Sequence, residues 1–431
     1  MMNFERTRYF LQSVNTGQIF PDSGWLLDAP GEKAPSLIRA IYENRQLNVR
    51  DELPGLYKFA DWLPIRRILD GSSAPVTFRS QALARALGLS NLWITFSGYW
   101  PEKGASMNTC SFKETEAFSV CARLDPQNEK ILVVASAGNT SRSFAKVCSE
   151  NKIPLLLCVP EDNLDALWFD KPLDDCVKLV CSQKGSDYFD AIHLSGIAAS
   201  IEGFIPEGGA KNAARRDGMG TTVLSAVTTI GEIPEYYFQA VGSGTGAIAA
   251  WEANLRFLAD GRYGKRKMKL MVSQNAPFQP ICDTWEAGSR AMLPLDETLA
   301  RTQVGLIDAK VLSNRKPPYS LAGGLFDALT DSEGTVMAVP NEEARSAANL
   351  FRETEGIDIH PASAVAVASL KRAAEDGVVP VDALVMLNIT GGGEERYKVD
   401  HPLWYLKPSL LFPVNPNPEE VIRKITALFR S

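Results

Sequence analysis

A chain of 431 residues is too long for one simple core and is expected to divide into two or three lobes. Its net charge of -6 argues against a nucleic-acid partner, and no apolar run approaches the roughly 20 residues of a membrane helix. Seven cysteines without a close CxxC pair, and only three histidines, argue against a disulfide framework or a metal centre. The amino-terminal "MMNFERTRYF" lacks the apolar core of a secretory signal, so a cytoplasmic enzyme or binding protein is expected.

In chain order, residues 1–60 are rich in Pro and Gly and read as an extension wrapped over a core. Its end, "LPGLYKFADWLPIRR", has the aromatic content of a packing segment. Next comes "NTCSFKETEA", where Lys113 follows Phe112 and precedes Glu114 and Glu116, acids that favour a helix's first turn. Cys110 reads as a small buried apolar residue rather than a nucleophile. "KILVVAS", "AGNTSRSFAKVCSE" and "IPLLLCVP" then form a strand–helix–strand unit. "YYFQAVGSG" leads into the helical "TGAIAAWEANLRFLADG"; "MKLMVSQNAP" and "DALVMLNITGGG" are further strands. Short apolar strands alternating with helices imply an α/β fold with parallel sheets covered on both faces.

Ligands of such sheets collect where strand ends meet helix starts. Three turns of this chain qualify. "VGSGTGAIAA" alternates Gly242, Gly244 and Gly246 with Ser243 and Thr245. Backbone N–H groups there would be open to a phosphate, at a helix end that is partly positive. The turn has neither a Walker GK[ST] nor the full dinucleotide pattern, and alone it is as often structural. "SAGNTSRS" places Ser136, Asn139, Thr140 and Ser141 at a helix start, as caps or as a carboxylate site. "LNITGGGEE" puts Thr390 at a strand end, which by itself is a turn residue.

Together and in this order, "SFK", "SAGNTS", "GSGTG", "HPAS" and "ITGGG" resemble the fold-type II pyridoxal-phosphate enzymes, closest to the threonine synthase branch, over roughly residues 75 to 400. The resemblance implies two open, mostly parallel sheets flanked by helices, as in the tryptophan synthase β chain, with the active site between domains. The division it implies is 61–115 with 206–431 as a large cofactor domain and 116–205 as a small substrate-loop domain. It also implies pyridoxal 5'-phosphate as cofactor, no metal, and a homo-oligomer.

Residue by residue, the resemblance makes Lys113 the lysine that binds the cofactor covalently and later moves the substrate's α-proton. Asn139 would bond the cofactor's phenolic oxygen, Gly242, Ser243, Gly244, Thr245 and Gly246 its phosphate, and Thr390 its ring nitrogen. Ser136, Thr140, Ser141, Arg142, Arg215 and Asn275 are the expected substrate contacts. Arg142, Lys211, Arg215 and Arg216 are candidate charges for steering anions.

Two segments depart from the threonine synthase pattern. "NAARRDGMGT" keeps an arginine at Arg215 and an acid at Asp217, but Gly220 stands where a lysine is expected. "NTC" before the lysine motif differs as well, which makes Asn108, Thr109 and Cys110 candidates for a change of substrate. That combination resembles the branch acting on O-phospho-L-serine and sulfite by β-replacement. Threonine synthesis from O-phospho-L-homoserine, another β-replacing or β-eliminating reaction, and a non-catalytic amino-acid-binding protein are the alternatives.

Overall fold

The computed structural model describes residues 4–127 and 130–430. The apolar runs form strands buried along almost every residue: Ile131–Ala135, Leu155–Pro160, Tyr236–Ala240, Lys269–Asn275 and Val385–Ile389. A strand covered by helices on both faces has no polar side to show, hence the lack of alternation.

These strands build two sheets. The larger runs in the order Thr335–Val339, Lys269–Asn275, Tyr236–Ala240, Val385–Ile389, Leu92–Phe96, Val76–Arg79. It is parallel except for the last strand. The smaller, wholly parallel, runs Phe204–Pro206, Ile131–Ala135, Leu155–Pro160, Val177–Ser182, Leu410–Phe412. Successive side chains go to opposite faces of a strand, and the cores divide accordingly. In the larger sheet Tyr237, Leu270 and Met386 join one apolar cluster, and Phe238, Met271 and Leu387 the other. This is the expected fold-type II arrangement.

The carboxyl terminus departs from the expected division. The expected large domain includes residues 206–431, yet Leu410–Phe412 pairs with Val180–Ser182 of the smaller sheet. Helix Pro418–Arg430 buries Val421 and Ile425 against Leu194 and Ala198 of helix Tyr188–Ala199. A three-residue strand is too short to carry a readable period, so the sequence held no sign of this return.

The amino-terminal extension forms a three-stranded antiparallel sheet, Ile19–Phe20, Tyr9–Ser13 and Ile38–Tyr42. It is fastened by buried charges. Arg39 Nε lies 2.9 Å from Glu252, Arg123 grips Asp22 with two bonds of 2.9 Å, and the Tyr42 hydroxyl donates to Asp217 at 2.5 Å. The aromatic stretch Gly55–Trp62 wedges between the lobes. Phe59 and Trp62 enter the core of the larger sheet, while Leu56 and Tyr57 enter that of the smaller. Among the described residues no helix is long and apolar enough to cross a membrane.

Candidate active site

A cavity of about 450 Å³ lies between the two sheets, with Ser136, Asn139 and Thr140 on one side and Gly242, Gly246 and Thr390 on the other. That volume suits a small cofactor with its substrate. Lys113 opens helix Lys113–Arg123 on its wall. The lysine is placed by backbone stitching between distant motifs. Phe112 N–H donates to the Thr390 carbonyl at 2.9 Å, and Gly392 N–H to the Cys110 carbonyl at 3.1 Å. Ser363 pins the same turn, its hydroxyl donating to the Gly391 carbonyl at 2.9 Å and accepting from Gly391 N–H at 3.1 Å. "HPAS" thus has a mechanical reading: His360 and Pro361 start helix Pro361–Glu375, and Ser363 locks "ITGGG" beside "SFK".

The Lys113 side chain is 22% exposed, with Nζ 3.3 Å from Glu116 Oε2. Burial draws its ammonium below the ordinary lysine range; Glu116 opposes this and Arg215 adds to it. A lysine so shifted is a better nucleophile and base near neutral pH.

The glycine loop is constrained by close packing. A Cβ on Gly242 would meet Leu312 Cα and Val311 O at 2.9 Å, and Gly244 has φ +80 with Leu325 Cδ2 2.6 Å from its missing Cβ. The loop ends in helix Thr245–Asp260, whose first-turn N–H groups have no acceptors within the helix. Asn139 starts helix Asn139–Glu150, and its Oδ1 accepts from Arg142 Nη2 at 2.9 Å. With the oxygen occupied, the amide has its NH2 donors left for a ligand's oxygen. The Thr390 hydroxyl, 3.5 Å from Ser363 Oγ, presents a neutral group rather than a carboxylate. An amine, an anion cradle, an amide donor and a neutral hydroxyl around one cavity fit pyridoxal phosphate.

Three expected substrate contacts are not on the cavity wall. Arg142 is buried, stacks 4.0 Å from the Trp168 ring centre, and donates to the Thr109 and Ala166 carbonyls as well as to Asn139. One helical turn beyond Asn139, it reaches back to brace that residue. Ser141 is buried in the same helix. Asn275 accepts from Ala309 N–H at 2.9 Å and donates to the Val339 carbonyl at 3.0 Å, holding the segment that carries Val311 and Leu312 over Gly242.

Of the four candidate steering cations, only Arg215 is on the wall. Lys211 pairs on the surface with Asp28 at 2.7 Å, and Arg216 is buried against Glu252 at 2.9 Å. The run Asn108 to Cys110 also falls behind the wall. Thr109 donates through its N–H and hydroxyl to Glu114, at 3.0 and 2.9 Å, and Cys110 is buried with its thiol pushed well up by burial.

Several groups at the site are not among the expected contacts. Glu116 is wholly buried and joins Lys113 to Arg215, Nη2 to Oε1 3.1 Å. Glu207 takes Arg215 Nη1 at 2.5 Å. Gln239, Tyr188 and His360 are on the wall, and His360 Nε2 lies 3.0 Å from Glu394 Oε2. Signals existed for two of them. Glu116 is one helical turn from Lys113, and Gln239 is a polar residue inside the apolar strand "YYFQA". Glu207 comes from a loop and Tyr188 from the start of helix Tyr188–Ala199, both distant in sequence from Lys113 and without a local mark.

Fold and cavity define a pyridoxal-phosphate-dependent enzyme, and the model of the family described as "Pyridoxal-phosphate dependent enzyme" matches residues 78–391. Structures of that architecture align with the chain. Diaminopropionate ammonia lyase from Escherichia coli gives a TM-score of 0.57 at 16% identity, covering 77% of this chain and 88% of that one. Maize serine racemase gives 0.55 at 14%, covering 75% and 92%. Among curated proteins, the cysteate synthase of Methanosarcina acetivorans is 48% identical over 88% of this chain and 91% of its own length. That of Methanospirillum hungatei is 43% identical over 98% and 99%. The chain belongs to the pyridoxal-phosphate-dependent enzymes and, within them, to the cysteate synthase group.

Proposed function

We propose that this enzyme replaces the phosphate of O-phospho-L-serine with sulfite, forming L-cysteate and phosphate. The observation that carries this reading is the identity of 43 to 48% with cysteate synthases over nearly all of the chain. The cavity supports it chemically: the wall bears Arg215, whose planar fork suits a phosphate or a sulfonate. A cytoplasmic setting and a homo-oligomer belong to the same proposal and rest on family resemblance.

Bound pyridoxal phosphate withdraws electrons from the substrate's α-carbon and so acidifies its C–H bond. Lys113 holds the cofactor and then takes the α-proton on Nζ. Asn139 would donate its amide N–H to the cofactor's phenolic oxygen, the Gly242–Gly246 loop would hold its phosphate, and Thr390 would meet its ring nitrogen. Thr390, lacking charge, does not enforce a protonated ring, which favours elimination and replacement at the side chain. Ser136 and the Thr140 backbone N–H would meet the substrate carboxylate, the Thr140 hydroxyl being hydrogen-bonded to Glu116 at 3.1 Å. Arg215 receives the substrate's phosphate.

The deciding experiment incubates the purified enzyme with O-phospho-L-serine and sulfite, beside O-phospho-L-homoserine alone. Sulfite-dependent phosphate release with L-cysteate formation is expected. Threonine from phosphohomoserine, with no phosphate released from phosphoserine, would overturn the reading.

A further inference from the structure

Glu116 is wholly buried and sits behind the wall, yet its two oxygens serve two wall cations. Oε2 lies 3.3 Å from Lys113 Nζ, while Oε1 lies 3.1 Å from Arg215 Nη2 and accepts the Thr140 hydroxyl at 3.1 Å. Thr140 and Arg215 are themselves on the cavity wall. Lysine amine, carboxylate and hydroxyl therefore form one hydrogen-bonded line ending beside the arginine. Arg215 also has unused capacity, since its buried Nε has no partner and neither has Glu207 Oε1 alongside. A buried guanidinium with a spare N–H on a cavity wall is suited to an anion.

The proposed reaction has a proton to place. Breaking Cα–H delivers a proton to Lys113 Nζ. Breaking Cβ–O sends the bond's electrons out on a phosphate oxygen, and a dianionic ester then departs as a trianion unless one proton reaches that oxygen. We propose that Glu116 relays the α-proton: Oε2 takes it from Lys113 Nζ, the carboxyl turns to present it to Thr140, and the Thr140 hydroxyl, which donates to Oε1 at rest, swings to pass its own proton to the phosphate leaving on Arg215 as it receives that of Glu116. Phosphate then departs as HPO4 dianion. Hydrogensulfite forms the C–S bond with its sulfur lone pair and gives its proton to Lys113, which returns one to Cα. Atoms and charge balance over the cycle. Glu116 is a positioning residue in this scheme, acting through Lys113 and Thr140, and the inference rests on the function proposed above.

The test is Glu116→Gln, which keeps shape and hydrogen bonding to Arg215 but cannot carry the proton. With phosphoserine, kcat should fall about a hundredfold, within the range of lost acid–base catalysis. With β-chloro-L-alanine, whose chloride needs no proton, elimination should fall far less, showing only the change in the Lys113 amine that Glu116 no longer faces as a charge. The deficit with phosphoserine should shrink as pH falls through about 6, where the phosphate ester arrives already carrying a proton. Binding of inorganic phosphate to the holoenzyme, whose cofactor fills the Gly242–Gly246 loop, should by calorimetry hold or tighten, since a competing negative charge is gone. Equal slowing with both substrates, a deficit independent of pH, or phosphate affinity lost in proportion to kcat would overturn the relay alone. A wild-type chain that eliminates chloride but never releases phosphate from phosphoserine would overturn the functional reading and the relay with it.

Discussion

Helix Ala213–Ile230 carries two adjacent arginines with opposite fates. Arg216 commits all three nitrogens to protein: Nε to Glu252 at 2.9 Å, Nη1 to the Ala210 carbonyl and Nη2 to the Ile38 carbonyl. Arg215 pairs with Glu116 and Glu207 but leaves Nε unpartnered. Buried polar groups are nearly always satisfied, so an unsatisfied cluster at a cavity reads as capacity for a ligand and a satisfied one as structure. One cluster fastens the amino-terminal sheet and the other faces the cavity. Charge count in the sequence could not distinguish them; satisfaction of hydrogen bonds does.

The sharpest test exchanges each arginine for methionine. Arg215→Met should lower kcat/KM for the phosphate-bearing substrate about a hundredfold, the loss of a charged hydrogen bond of about 3 kcal/mol. Arg216→Met should leave turnover within about twofold while lowering the unfolding free energy by about 3 kcal/mol. That figure is at the lower end for a broken buried pair because Arg39 Nε still holds Glu252 at 2.9 Å. Phosphate release and urea unfolding measure the two effects. An Arg216 variant that is stable but inactive would break the comparison.

What was legible in the sequence follows the same division. Strands such as Leu155–Pro160 and turns such as Gly242–Gly246 are local, and local pattern exposes them. Lys113, Asn139 and Thr390 are far apart in sequence, but each lies in a short motif at a strand end or helix start. Glu207, Tyr188 and the strand Leu410–Phe412 depend on what the fold brings from a distance, and no local pattern marks them. Arg142 and Asn275 show the converse failure. Each lies in or beside a motif, yet each turns its polar atoms onto backbone carbonyls and N–H groups that hold the motif in place.

Two asparagines extend the comparison at smaller scale. Asn275→Ala should cost about 1–3 kcal/mol of stability, because it strands the Ala309 N–H. Asn139→Ala should barely change the stability of the cofactor-free chain and should weaken cofactor binding about tenfold, the loss of one hydrogen bond of about 1.5 kcal/mol. Thermal unfolding without cofactor and absorbance titration with it separate the two. If Asn139→Ala unfolds the chain as Asn275→Ala does, both are structural.

The smallest effect is a difference of sign with pH. Burial raises the Glu207 carboxyl above the carboxylate range; Arg215 opposes this and Glu116 adds to it. At Glu252 burial also raises, but Arg216 and Arg39 outweigh it and the group lies below that range. An unfolded glutamate titrates near about 4.3. The Glu252 contribution is therefore present above that pH and is lost as pH falls through its lower folded value. The Glu207 contribution runs the other way, present below about 4.3 and lost as pH rises through its higher folded value. Glu207→Gln should accordingly give a small gain in stability for the cofactor-free chain at pH 7 to 8, about none near pH 4. Glu252→Gln, comparable in size to Arg216→Met, supplies the control of sign, with a loss at neutral pH that narrows in acid. Urea unfolding across that range decides. A Glu207→Gln chain less stable than wild type at pH 8 would mean that its carboxylate fastens the fold, as Glu252 does, and would erase the distinction between the two clusters.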